Sequence, residues 1–233
     1  MTASVAAVAA TLVALCLSLS TFERYLTRRA RHELAFALAF LAFALASGAL
    51  ALGSTSGFDG PTFRLFYLVG AIVDVPVLAL GTVYLHLRTR VGDWFALGVA
   101  AWTVAAAVVM ATAPFTHPLP AHGLPQGSAV LGPLPRALAG VGSGGGTAVI
   151  LAGTILSAAR RRRGPVAVGN VLIAAGTLIT GASGVANSAF GAMTAFAVAL
   201  GVGVAVIFAG FLVVASTRPV GAAQPASVKR AAR

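Results

Sequence analysis

The chain has one cysteine, Cys16, and five acidic residues against sixteen basic ones. A lone cysteine forms no intrachain disulfide and builds no multi-cysteine zinc or iron–sulfur site. With so few carboxylates, no paired acids, no Ser-His-Asp set and no HExxH motif can be assembled. No catalytic residue, metal or cofactor is therefore expected. Charged residues fill only 9% of the chain, whereas a soluble domain carries about 25%.

Apolar residues are abundant instead, at 58%, and the mean hydropathy is +0.94. That composition belongs to a membrane protein. The net charge of +11 raises nucleic acid as a partner. However, the basic residues gather at the ends of apolar runs, without aromatic interleaving or a nucleic-acid-binding module. The expected partners are the lipid bilayer and its anionic headgroups, with a protein partner or homo-oligomer compatible with the same surface.

Seven apolar runs follow one another: 3–20, 33–52, 65–86, 95–112, 137–159, 166–185 and 193–216. The first lacks the preceding basic residues of a signal peptide and is followed by Arg24, Arg28, Arg29 and Arg31, so it reads as an inserted helix. Loops are expected at Gly53–Pro61, at Val91–Trp94 and at Asn187–Gly191. The segment from Pro114 to Pro135, with six prolines, reads as a cap without regular helix.

Seven spans alternate sides, and the basic residues split accordingly. On the expected inner side lie Arg24, Arg28, Arg29, Arg31, Arg88, Arg90, Arg160, Arg161, Arg162, Arg163, Arg218, Lys229, Arg230 and Arg233; on the outer side lie only Arg64 and Arg136. The expectation is an all-α, seven-helix bundle in the cell membrane, N-terminus outside and C-terminus cytoplasmic. Residues 1–217 form the transmembrane domain and 218–233 a basic cytoplasmic tail.

The third run holds the main candidate site. As a helix, residues 65–86 extend about 33 Å, enough to cross a bilayer core of about 30 Å. Asp74 then lies near the midplane, where a carboxylate costs at least about 2.5–3.5 kcal/mol. Pro76 has no N–H to give the Ile72 carbonyl, so a bend is expected there. The face around Asp74 carries Tyr67, Gly70, Ala71, Val77, Leu78 and Gly81 by helical spacing. Asp74, Ile72, Pro76 and Tyr67 thus form a candidate substrate or ion site. The bland alternative is a protonated Asp74 bonded to a hydroxyl on a neighbouring helix.

Gly140 and Gly144, and likewise Gly142 and Gly146, are spaced for close helix contact; the Lys-Ser/Thr of a phosphate loop is missing. Gly176, Thr180 and Gly184 repeat the device, with Thr177 and Ser183 on adjoining faces. These two helices are expected to pack on each other or on the third. Arg160 to Arg163 is the densest patch for anionic headgroups. His32 and His86, at inner helix ends, read as headgroup-level residues before haem or metal ligands. His117 and His122 stand five apart, with Asp59 the only external acid, which is thin for a metal site.

Helix count and orientation match microbial rhodopsins, but the only lysine is Lys229, which leaves a retinal Schiff base no site. Sugar transporters built as three plus one plus three helices carry a proline in the first helix of each triplet. Here the first and fifth runs have none inside, and Pro76 has no counterpart in the seventh. The stretches from Phe63 to Leu85 and from Gly169 to Leu178 resemble seven-helix integral membrane proteins of high-GC actinobacteria. The resemblance covers most of the chain but implies no assigned activity and supplies no catalytic residues. The function expected is a small-solute or ion transporter or binder using Asp74, with a non-transporting membrane partner or lipid-binding scaffold as the alternative. An intramembrane enzyme ranks third.

Overall fold

A computed structural model describes residues 2–119, 125–160, 164–190 and 193–216. The described residues are helical apart from short connections and one isolated bridge between Phe115 and Leu131. The order is α1 (Thr2–Arg28), α2 (Arg31–Ser56), α3 (Gly60–Phe66), a π-helical stretch (Tyr67–Val73), α4 (Asp74–His86), α5 (Thr89–Thr112), α6 (Gly127–Val130), α7 (Pro133–Arg160), α8 (Pro165–Phe190) and α9 (Met193–Ser216). Five spans are long and apolar enough to cross a membrane: Ala7–Arg28, Arg31–Ser56, Gly60–His86, Thr89–Thr112 and Pro133–Ser157.

Helices run further than the apolar pattern alone predicts. α2 continues to Ser56, so the expected loop shrinks to Gly57–Asp59, and Gly57 turns the chain at φ 88°, which only glycine adopts cheaply. Val91–Trp94 belongs to α5 and is no loop. Pro133 and Pro135 open α7, where the first turn has no use for their missing N–H. Residues 187–190 continue α8. At the other end of α1, Arg29 takes up φ 53° and its N–H reaches the Tyr25 carbonyl at 2.7 Å.

Alanine governs the packing of α2. Ala35, Ala37, Ala39, Ala44, Ala46, Ala49 and Ala51 are all buried, and they let α1 and α4 approach on different sides. Ser18 of α1 donates to the Ala37 carbonyl at 2.9 Å. On the other side, Gly70 lies against Ala46 and Gly81 against the Phe36 ring. α4 in turn packs on α5 and α7, and α8 pairs mainly with α9. In that last pair Gly176 meets the Gly203 carbonyl and Gly203 meets Thr180. Of the expected small-residue face of α8, Gly176 and Thr180 serve α9, while Ser183 and Gly184 lie outside the residues whose side chains are described; α7 also packs on α8, as expected.

The core gathers around α3. Phe63 is fully buried and touches the rings of Phe58, Phe66, Tyr67 and Phe115, with centroids 5.9–6.5 Å apart. Ile72, Ala106, Met110, Val130 and Leu131 complete it. Asp59 starts α3 by accepting the Thr62 N–H at 2.8 Å. Arg64 ends α5: its guanidinium donates to the carbonyls of Met110 and Ala113 and lies 4.6 Å from the Phe115 ring centroid. A cation at a helix C-terminus meets the negative end of the dipole.

Candidate functional site

The third span changes hydrogen-bond register just before Asp74. Tyr67–Val73 is a π-helical stretch, and the Asp74 N–H that closes it reaches back five residues to the Val69 carbonyl. From Asp74 the chain is α-helical, and there Pro76 has no N–H to give the Ile72 carbonyl. Ser143 of α7 donates its hydroxyl to the neighbouring Ala71 carbonyl at 2.7 Å. Wide turns of this kind cluster at functional sites.

The glycines of α7 make this contact possible. A Cβ at Gly142 would lie 2.8 Å from the Ile72 carbonyl oxygen, and one at Gly146 2.9 Å from the Val75 backbone. Gly153 performs the same service beside Thr82. Gly140 and Gly144, by contrast, have no atom within 4 Å of the Cβ position. Of the two expected glycine pairs, only Gly142 and Gly146 bring helices together here.

Asp74 sits at the junction itself, as the first residue of α4 and near the middle of the span Gly60–His86. It is half-buried, and among the described residues its carboxylate has no hydrogen-bond partner or ion pair. By helical spacing it shares a face with Leu78 and Gly81, the face that meets α2. Pro76 is buried on the opposite side, toward α7 and Trp102. Tyr67 is engaged elsewhere: its ring covers Gly127 and stands 5.9 Å from Phe63, within the aromatic cluster around α3. The structure thus gathers Asp74, Ile72 and Pro76 at the junction of the π-helical stretch with α4 and assigns Tyr67 to another neighbourhood.

The remaining polar residues are engaged or dispersed. His86 Nδ1 donates to the Thr82 carbonyl at 3.0 Å, and His32 stands edge-on to Phe36. His117 bonds the Ala129 carbonyl at 3.0 Å and borders an open groove with Thr116, Gln126, Ser128 and Arg136. No group of three metal-ligating side chains occurs among the described residues. Outside the spans, hydrogen bonds from Thr62, through its side chain and its backbone N–H, hold the Asp59 carboxyl below the usual carboxylate range. Arg160 ends α7, whereas Arg161, Arg162, Arg163, His122 and the tail lie outside the described residues.

Two contacts at helix ends escape a reading by charge count. Arg31 pairs with Asp93, whose Oδ1 also accepts the Tyr84 hydroxyl at 2.9 Å, so α2, α4 and α5 are tied at one end. Glu33 is buried, with Arg28 at 3.9 Å from one oxygen and no hydrogen bond to the other. Opposite charges at neighbouring helix ends were the only available signal, and many pairings satisfy it. Compared with known proteins, the chain matches no family model, no curated protein and no solved structure.

Proposed function

We propose that the chain is a seven-span protein of the cell membrane that transports or binds a small solute or ion, with Asp74 as the proton- or cation-binding group. The N-terminus is outside and the C-terminus cytoplasmic, an orientation supported by the fourteen-to-two division of basic residues. α8 and α9, 26 and 24 residues long, serve as the sixth and seventh spans. The cytoplasmic cluster Arg160–Arg163 contacts anionic headgroups. The likeness to actinobacterial seven-helix proteins agrees with this architecture.

One observation carries the functional reading. A carboxylate halfway along an apolar span costs several kcal/mol, and here no hydroxyl or cation among the described residues offsets that cost. An acid kept for structure alone would be bonded to a neighbour. An acid kept for exchange must be able to lose and gain its partner. The Ile72 carbonyl, relieved by Pro76, supplies a further oxygen ligand for a cation. In proteoliposomes, Asp74→Asn should abolish any flux driven by a pH or cation gradient while insertion and yield stay normal. Gradient-driven flux that persists in the Asn protein removes Asp74 from the mechanism.

The alternative, a membrane partner or homo-oligomer, draws on the open face of α7 at Gly140 and Gly144. Gly140→Leu with Gly144→Leu would then change the oligomeric state in detergent. Unchanged mass would leave the solute reading alone.

A further inference from the structure

A groove of about 800 Å³, open on one side, is bordered by the segment after α5, by α6 and by the start of α7. Small-molecule sites occupy about 300–1,000 Å³. Contacts within the fold fix its walls before any ligand arrives. The Thr116 N–H reaches the Val130 carbonyl at 2.9 Å, and the Thr116 hydroxyl and His117 Nδ1 both meet the Ala129 carbonyl, at 3.2 and 3.0 Å. Below them the Tyr67 ring closes on Gly127, where a Cβ would collide with it, and so seats α6 on the third span. Val130 and Leu131 are buried in the core, which anchors this wall further.

The charge of the groove has one sign. Arg136, exposed at the start of α7, lines it, and among the described residues its guanidinium has no hydrogen bond or ion pair. Arg64, by contrast, gives its protons to the Met110 and Ala113 carbonyls. No carboxylate is among the described lining residues, and Asp59 is occupied as the cap of α3. Ser128 adds a hydroxyl that can donate. His117 gives its Nδ1 proton to Ala129, so protonation of the ring puts a new donor on Nε2, with Arg136 the only other charged side chain in the described lining. Pro118 and Pro133 supply apolar surface beside these donors. We propose that the groove binds a small organic anion, a phosphate or a carboxylate, on the Arg136 guanidinium, with Ser128 and protonated His117 as further donors. A planar guanidinium matches both oxyanions with paired hydrogen bonds. A cation would meet Arg136 with no carboxylate to offset the repulsion. The site is separate from Asp74 and stands whether or not Asp74 exchanges ions.

Phenyl phosphate and benzoate serve as probes, added to the full chain in phosphatidylcholine nanodiscs and followed by saturation-transfer difference NMR. Both should bind, and uncharged phenol should not. Arg136→Gln should weaken both about tenfold or more, the scale of one lost hydrogen bond to a charged group. Arg88→Gln, which removes an equal charge from an exposed position just before α5, should leave both unchanged. Benzoate, already ionised, should bind more tightly as pH falls through the histidine range, near about 6.5, and His117→Gln should flatten that rise. Nanodiscs containing phosphatidylglycerol separate the two sources of the anion. Loss of phenyl phosphate binding there assigns the groove to a lipid phosphate, and retention assigns it to a soluble anion. Failure of both probes to bind in phosphatidylcholine overturns the proposal. So does equal binding by the wild type and Arg136→Gln.

Discussion

Ser143 and Ala71 stand 72 positions apart in the chain and are joined by a 2.7 Å hydrogen bond from hydroxyl to carbonyl. The bond ties α7 to the π-helical stretch just before Pro76. Ser143→Ala should therefore lower thermal stability in detergent. Hydrogen bonds within membrane bundles average about 0.6 kcal/mol and reach about 1.7. Ser143→Thr, which keeps the hydroxyl, should recover most of the loss. Equal melting of the Ser and Ala proteins would show that the carbonyl finds another donor.

The two glycine faces of α7 should respond differently to bulk. Gly146→Leu drives a side chain into the Val75 backbone and should cost a few kcal/mol, about 1–3 or more on the scale of overpacked cores. Gly144→Leu meets nothing in the described residues and should be mild. Melting curves in one detergent compare them directly. A larger loss at Gly144 than at Gly146 would mean that the packing face of α7 is wrongly assigned.

Much of the architecture was legible because it follows from one-dimensional patterns. Apolar runs about twenty residues long give helices, and Pro76 announces a kink by lacking an N–H. The π turn was not legible, because it depends on Gly142 and Ser143 arriving from α7. Gly140 and Gly142 differ by two positions and are equally small, yet only Gly142 faces a neighbour. Phase around a helix has to be read from contacts when a run offers glycine on every side. Tyr67 illustrates the same limit: spacing places it with Asp74, while the aromatic cluster around Phe63 engages its ring. The Arg31–Asp93 pair forms because α2 and α5 both begin beside Tyr84.

Phe63 is the most consequential core residue, fully buried under four rings. Phe63→Ala should destabilise the protein by about 3–5 kcal/mol, and Phe63→Leu by less, as shape is partly kept. Melting in detergent reads both. Tolerance of alanine would contradict the core built around Phe63.

Asp59 predicts an acid effect with a defined sign. Its folded carboxyl is held below its unfolded range, so its contribution is present above the unfolded value, near 3.9, and fades as pH falls through the folded one. Acidification should thus loosen the start of α3. Asp59→Asn, which keeps a capping oxygen but cannot titrate, should remove that part of the pH dependence. Identical acid melting profiles for both proteins would refute the capping role.

The exchange role of Asp74 is tested most directly by infrared difference spectroscopy of the protein in lipid, titrated with acid and with cations. The Asp74→Asn protein provides the reference, and Glu33→Gln controls for the other buried acid. The wild type should show a protonated-carboxyl band that grows as pH falls, shrinks when a bound cation displaces the proton, and is missing from the Asn protein. A band that depends on Asp74 but stays constant across pH and every cation tried would contradict the account. It would mark Asp74 as a permanently protonated structural residue.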